Sequence, residues 1–220
     1  EFEEYKANRQ AMPDTLREQM QAIIDAVRVF DIPVYTKEGF EADDIIGTIV
    51  TKAKKEGFKS YILTGDQDSF QLIDKENMIE VLIPSKGELI EYTTDKVFEK
   101  LGVYPSQIID YKALRGDTAD NIPGVKGIGE KTAAKLLADY QNLDNIYAHI
   151  EEIKPNHVKE KLINDKEMAY KSQYLATIIR DVDLDTNFDF KNSQLNKPDI
   201  NSVKSFFTKY EFYGFLKQIE

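Results

Sequence analysis

GDTADNIPGVKGIGEKTAAKLL, residues 116–137, carries two aspartates three positions apart, then a proline, then glycines at 124, 127 and 129, then an apolar-periodic run that predicts a helix over about 129–138. Glycines at this spacing let the backbone turn tightly between two helices. Free N–H groups at the start of the second helix can then meet a phosphate, and Lys126 and Lys131 add positive charge beside them. Gly124, Val125, Lys126, Gly127, Ile128, Gly129, Lys131 and Thr132 are therefore candidates for holding a nucleic-acid backbone, a kind of contact that positions a duplex and reads no sequence. The same residues would also suit an ordinary helical hairpin closed by glycine.

Charge sets a puzzle around this turn. The 220 residues carry a formal net charge of −10, which argues against a nonspecific nucleic-acid coat protein. Locally the balance reverses: Tyr111–Tyr140 holds five basic residues (Lys112, Arg115, Lys126, Lys131, Lys135) against four acidic ones (Asp117, Asp120, Glu130, Asp139). A hydrophobic content of 41% supports a core, and no apolar run approaches the roughly 18–20 residues of a membrane span. Cysteine is absent, which fits a reducing cytoplasm, and His149 and His157 are the two histidines. A bound metal must then be held mainly by oxygen, which points to Mg²⁺, Mn²⁺ or Ca²⁺ in preference to zinc.

Working outward, Pro13 and Asp14 suit a helix start, with Leu16, Met20, Ile23, Ile24, Val27 and Phe30 at helical spacing. Residues 32–36 (IPVYT) read as a short strand and 41–56 as a helix with Ile45, Ile46, Ile49, Val50 and Ala53 inward. Residues 60–64 read as a buried strand, followed by a short helix through Leu72, a hairpin of 79–83 and 88–92 about the turn PSKG, and a helix over 94–101. From Pro105 onward helices are predicted at 105–114, 129–138, 155–179 and 200–219, with 181–197 a surface connection. The pattern is α/β with a largely parallel sheet over residues 1–103, followed by an all-helical part over 104–220.

Seven carboxylates sit at element ends in three short segments: Glu41, Asp43 and Asp44 in EADD, Asp66 and Asp68 in TGDQDS, and Asp117 and Asp120 in GDTADN. Singly, each segment is what a helix N-terminus or a turn would carry. Together, so many like charges gathered at one place require cations. Two Mg²⁺ or Mn²⁺ ions about 4 Å apart could activate water and stabilise the leaving oxygen of a phosphodiester. In YKANR (5–9), Lys6 and Arg9 would share one face of a helix and could grip the scissile phosphate.

YKANR, EADDIIGT, TGDQDSFQL and GDTADNIPGVKGIGEKTAAKLL occur in the order found in the 5′ nuclease family, which includes the nuclease domain of bacterial DNA polymerase I, phage 5′ nucleases and flap endonucleases, and the sequence resembles that family over nearly its whole length. The resemblance implies a PIN-like nuclease fold followed by a helix–hairpin–helix subdomain. It implies that Glu41, Asp43, Asp44, Asp66, Asp68, Asp117 and Asp120 coordinate two or more Mg²⁺ or Mn²⁺ ions, and that Lys6 and Arg9 of a helical arch contact the scissile phosphate, with Tyr5 stacking on a base. It implies a duplex grip at the glycine turn, with a monovalent cation such as K⁺ bridging backbone carbonyls and a phosphate. It also implies 5′→3′ exonuclease and flap endonuclease activity on branched, flapped or nicked duplex DNA with a 5′ end, RNA-primed ends included, in a bacterial, cytoplasmic, nucleoid-associated monomer with no membrane partner, and a C-terminal polymerase domain in the parent chain. Family members open with an acidic strand and carry a further aspartate before the arch. Nothing here precedes Glu1, so the expectation is an N-terminally truncated nuclease, its first strand missing. The alternatives are a DNA-structure-binding module without catalysis, a ribonuclease of the related fold, and a protein-interaction scaffold.

Overall fold

The computed structural model of the chain describes residues 4–184, 188–191 and 193–219. It forms two compact units, one made of the residues up to Arg9 with Ala42–Val182, the other of Gln10–Glu41 with the residues from Asp183 onward. In chain order, α1 (Asp14–Val29) belongs to the second unit and α2 (Ala42–Lys55) to the first. Asp43 and Asp44 in the first turn of α2, and Lys52, Lys54 and Lys55 in its last, oppose the helix dipole at both ends. Its buried face is Ile45, Gly47, Thr48, Val50 and Ala53, so two small residues join the apolar stripe. Gly47 sits where a Cβ would come within 2.7 Å of Ile178 Cγ2, and the Thr48 hydroxyl accepts from Val182 N at 3.0 Å.

The sheet of the first unit has the order β1 (Ser60–Leu63), β2 (Ile79–Ser85), β3 (Glu88–Tyr92). β1 runs parallel to β2, with Ile62 opposite Val81, and β2 runs antiparallel to β3, with Ile83 opposite Ile90. The expectation of a largely parallel sheet is thus corrected to a mixed one. Two residues, Lys86 and Gly87, both at positive φ, join β2 to β3, and so short a connection can only make an antiparallel hairpin. β1 is also less buried than its composition predicts: it lies at a sheet edge, Ile62 is buried, and Tyr61 and Leu63 face out. A 3₁₀ turn over Gln67–Leu72 follows β1 and carries Phe70, whose ring packs 4.6 Å from that of Tyr92.

After the sheet come α3 (Thr94–Leu101), a 3₁₀ turn over Pro105–Gln107, α4 (Ile108–Arg115), α5 (Glu130–Tyr140), α6 (Leu143–Ala148), α7 (Asn156–Asn164) and α8 (Lys166–Ala176). The helix expected over 155–179 is two helices meeting at Asp165. α4 packs against α5 and α8 and is buried on nearly every side. One hydrophobic core runs from Val50 and Val81 through Leu114 and Leu137 to Leu143 and Leu162, so sheet and helices are a single packed body within this unit.

Asp74 ties the loop before β2 into that body. Its carboxylate accepts from Met78 N at 2.8 Å and Ile79 N at 3.3 Å and pairs with Lys54 Nζ at 2.6 Å. Burial works to raise this carboxyl, but Lys54 and the two backbone donors outweigh it and hold it below the usual carboxylate range. A depressed folded-state pKa adds stability that is present above the unfolded value of about 3.9 and is lost as pH falls through the folded value. Asp74→Asn is therefore expected to cost about 1 kcal/mol at pH 7, kept small by solvent screening, and the gap to the parent should begin to narrow only as pH falls below about 4 and go on narrowing through the folded value. Urea unfolding at a series of pH values from 7 downward checks this; a gap that does not narrow at all as pH falls below about 4 would show that the carboxylate's charge is not the cause.

In the second unit α1 is joined by α9 (Ile200–Lys209) and α10 (Tyr213–Leu216), with Phe30, Phe206, Phe207, Phe212 and Phe215 in mutual ring contact. Asp199 caps α9, accepting from Asn201 N and Ser202 N. The helix expected from Pro13 and Asp14 forms as α1; none of its residues is buried, and Leu16, Met20 and Ile23 are exposed. The strand expected over 32–36 does not form: among the described residues these pair with no strand, and Tyr35 packs edge-on to Phe188 and hydrogen-bonds Ser193 Oγ at 2.5 Å. Of the expected connection 181–197, residues 185–187 and 192 lie outside the described residues.

Candidate functional site

α4 decides where the charges of the first unit meet. Ile108, Tyr111, Ala113 and Leu114 fill its apolar faces, so Asp110 and Lys112 are carried into the interior with them. A buried charge without a partner is strongly unfavourable, and both find one. Asp110 accepts from Gln173 Nε2 at 2.6 Å. Lys112 Nζ reaches across to Asp68, in the 3₁₀ turn after β1, and to Asp117 Oδ2 at 2.7 Å, just past the end of α4.

Lys112, Asp68 and Asp117 line a cleft of about 510 Å³ together with Gly65, Asp66, Gln67, Tyr111, Arg115 and Ala119. Asp66 shapes the turn that presents Asp68: its side chain accepts from Asp68 N at 2.9 Å, and its own N–H donates to Thr64 Oγ1 at 3.0 Å. Asp117 is fixed by a two-way backbone bridge to Ile122, and its Oδ1 accepts from Ala119 N at 2.9 Å. Burial pushes the Asp68 carboxyl up, against the pull of Lys112. Burial would lower Lys112, but Asp68 and Asp117 more than offset it and keep the ammonium charged. Burial also works upward on Asp117, where Lys112 prevails and holds the carboxyl below its ordinary range.

Asp120 lies in the same loop and is buried. It pairs with Arg9 and, at 3.7 Å, with Lys6 Nζ, and its carbonyl accepts from Lys6 N at 3.0 Å. Asn8 Nδ2 donates to Thr118 O at 2.7 Å and Asn121 Nδ2 to Glu4 O at 2.6 Å, lacing residues 4–9 onto 118–121. The segment is a series of turns, with Lys6 at φ 57°, where helical spacing predicts a shared helix face for Lys6 and Arg9; tertiary hydrogen bonds to the 118–121 loop replace helical ones. Lys6 Nζ also lies 4.8 Å from the centre of the Tyr5 ring.

Three of the seven expected carboxylates, Asp66, Asp68 and Asp117, thus line one cleft, and Asp120 stands in the loop beside Asp117. Asp43 and Asp44 are half-buried at the start of α2, where Asp44 Oδ1 accepts from Ile179 N at 2.9 Å. Glu41 is exposed and falls in the second unit. Among the described residues no group of three or more His, Cys, Asp or Glu stands ready to hold a metal ion. The cleft nonetheless fits a hard divalent cation: its donors are carboxylate oxygens, and they already converge on a positive charge, the Lys112 ammonium. Lys112 was not singled out by its motif. The signal is a lysine set among apolar residues on every turn of IIDYKAL, which forces the cation toward buried acids.

The glycine turn joins α4 to α5. Gly124 N donates to Ser172 Oγ at 3.0 Å, Val125 N to Leu114 O at 2.8 Å, Lys126 N to Asp165 Oδ2 at 2.7 Å and Ile128 N to Val125 O at 3.0 Å. Val125 and Ile128 are buried anchors, whereas Lys126, Gly127, Gly129 and Lys131 are exposed and Thr132 half-buried. Four N–H groups of the turn are thus bonded inside the chain, and the first turn of α5 adds N–H groups that by geometry have no helical acceptor.

Residues 1–102 match the family model described as 5′-3′ exonuclease, N-terminal resolvase-like domain, and residues 103–201 that described as 5′-3′ exonuclease, C-terminal SAM fold. The chain is 42% identical over 222 residues to DNA polymerase I of Caldicellulosiruptor bescii, covering 100% of the chain and 26% of that protein. It is 40% identical over 219 residues to DNA polymerase I of Bacillus caldotenax, covering 100% of the chain and 25% of that protein. It therefore spans about a quarter of the length of these relatives. Its fold resembles that of the bacteriophage T5 flap endonuclease solved as a pseudo-enzyme–product complex with DNA and metal ions, with a TM-score of 0.63 and 20% identity over 99% of this chain and 77% of that one.

Proposed function

The chain belongs to the 5′-3′ exonuclease family, and from that premise we propose that it is the nuclease part of a bacterial DNA polymerase I, a divalent-metal-dependent 5′→3′ exonuclease and 5′-flap endonuclease that removes primers and flaps in replication and repair. The observation that carries this reading is the cleft in which Asp68 and Asp117, with Asp66 beside them, meet around one positive charge. Asp66, Asp68 and Asp117 would hold Mg²⁺ or Mn²⁺, with Asp120, Asp43 and Asp44 as further members of the set. Such an ion, when bound, supplies Lewis-acid charge that eases deprotonation of an attacking water and steadies the leaving oxygen.

The chain's own residues do the rest. Lys6 and Arg9, held by Asp120, offset the negative charge that grows on the scissile phosphate, and Tyr5 offers a ring for a terminal base. Lys112 keeps the cleft neutral enough to stay folded. The α5 N-terminus, with Lys126 and Lys131, holds the duplex backbone away from the cleft. In this reading residues 1–103 form the nuclease core with part of the arch, 104–220 the helical DNA-binding part, and the protein works as a cytoplasmic monomer on nicked, branched or flapped DNA, RNA-primed ends included.

The test is incubation of the full chain with 5′-flapped, nicked and RNA-primed duplexes, with and without Mg²⁺ or Mn²⁺. Metal-dependent release of 5′ products from the flapped duplex is expected. Tight binding without cleavage would replace the nuclease by a structure-binding module, and preference for RNA by a ribonuclease. A backbone grip also predicts salt dependence: log affinity for the flapped duplex should fall linearly with log salt, and Lys126→Ala and Lys131→Ala should each reduce the slope by about 1. A flat salt response by fluorescence anisotropy would refute the grip.

A further inference from the structure

Residues 177–182, which follow α8 without helix or strand, form a strap tied to two of the elements that carry the proposed ligands. Ile179 N donates to Asp44 Oδ1 at 2.9 Å, in the first turn of α2, and Val182 N donates to Thr48 Oγ1 at 3.0 Å, one turn further along that helix. Gln71, in the 3₁₀ turn that carries Asp68, takes up the other end. Its Nε2 donates to Ala176 O at 3.0 Å, its Oε1 accepts from Ile178 N at 3.0 Å, and its backbone carbonyl accepts from Arg180 Nη2 at 2.6 Å. This polar side chain is 3% exposed, between Phe70 and Leu72 of the hydrophobic core. Gly47 of α2 lets the three parts close up, since a Cβ there would fall 2.7 Å from Ile178 Cγ2 and 3.3 Å from Leu72 Cδ2.

Few side chains can fill this place. Ala176 O and Ile178 N flank Thr177 and are the two groups that one residue of a parallel neighbouring strand would take. Serving both requires a donor and an acceptor side by side. A primary amide has both, an ionised carboxylate only accepts, and a thioether is at most a weak acceptor. Asp68 and Asp44 belong to separate elements, and those elements fasten to the strap at successive residues, 178 and 179. We infer that Gln71 is a positioning residue for the proposed metal ligands: its amide locks the turn that presents Asp68 to the strap that holds Asp44, so that carboxylates from two separate segments keep fixed places. Hydrogen bonds one layer behind a metal's ligands change its affinity by about 10–100-fold when removed.

The inference rests on the proposed ligand reading only where a metal is the readout, so the experiment has two arms. In the first, amide hydrogen exchange is followed in the full chain without metal or DNA. Gln71→Met, close in size but without the amide, should speed exchange at Ile178, at Ile179 and at Asp68, whose N–H is held by Asp66 Oδ1, by about tenfold or more. Ser172→Ala removes another buried hydrogen bond of the same unit, that from Gly124 N, and should leave those three amides within about twofold of the parent. Unchanged exchange at Asp68 in Gln71→Met, or equal acceleration in both variants, would overturn the inference. Should Gln71→Met not fold, Arg180→Met removes the tie to the Gln71 carbonyl alone and should speed the same amides by about threefold; no change at Asp68 would again overturn it. In the second arm, Mn²⁺ affinity is measured by paramagnetic resonance without DNA. Gln71→Met should bind Mn²⁺ about tenfold more weakly than the parent, and Ser172→Ala within about twofold of it. Unchanged affinity in Gln71→Met, or equal loss in both, would make Gln71 an ordinary core residue and overturn the positioning role. A parent chain that binds no Mn²⁺ removes the ligand reading instead, and the exchange arm then decides by itself whether Gln71 fixes the Asp68 turn.

Discussion

Asp117→Asn and Asp66→Asn are each expected to slow cleavage of a 5′-flapped duplex by about two orders of magnitude or more while leaving duplex affinity within about twofold. The substitutions remove charge and keep shape. An asparagine at 117 can still accept from Ala119 N and leaves the backbone bridge to Ile122 untouched, so the loop that carries Asp120 should hold its form. An asparagine at 66 can still cap the turn before Asp68. What is lost is the negative charge that the cleft offers to a cation, and at residue 117 also the partner of Lys112. The glycine turn draws on other residues, so binding should survive. Single-turnover cleavage in Mg²⁺, beside anisotropy in EDTA and circular dichroism for folding, separates the two effects. Full activity in both variants would remove these residues from the proposed ligand set, and loss of binding in parallel with cleavage would mean that the cleft and the grip are not separate.

The second large effect is on stability. Gly116, at φ 76°, and Gly124, at φ 64°, lie back to back where the chain leaves α4 and re-enters the turn. A Cβ on Gly124 would fall 2.2 Å from Gly116 N and 2.6 Å from Gly116 Cα; one on Gly116 would fall 2.7 Å from Ile122 O. Both obstacles are backbone, which cannot swing aside as a side chain would. Gly124→Ala adds a left-handed residue, costing about 1–2 kcal/mol, to an overpacked contact costing about 1–3 kcal/mol, so a loss of about 3 kcal/mol or more is expected. Gly124 N would also be pulled from Ser172 Oγ, a hydroxyl that is fully buried. Gly129→Ala is the control: nothing lies within 4 Å of a Cβ there, and an alanine at that helix cap should cost no more than about 1 kcal/mol. Equal destabilisation of the two variants in urea would show that the close backbone approach is not what selects glycine at 124.

Local rules carried much of the reading. The 94–101 helix ends at Gly102 in the left-handed region, the 79–92 hairpin turns at Lys86 and Gly87, and α5 starts just after Gly129, each because a few neighbouring residues settle the backbone angles. The order of carboxylate motifs was equally plain. The failures share a cause. A strand at 32–36 needs a partner strand, and a parallel sheet needs strands that the 79–92 hairpin does not supply. Nothing within those segments says whether a partner is there.

The amino-acid sequence alone therefore determined the family, the helices and hairpin, and which residue types could do chemistry, because period, capping and turn preference act over a few residues. The tertiary structure alone decided which charges meet. Lys112 bridges Asp68, 44 residues earlier in the chain, since burial on α4 leaves its ammonium few other partners, and Lys161 reaches Gly127 across 34 residues. Coulomb energy depends on distance in space, and separation along the chain does not report it.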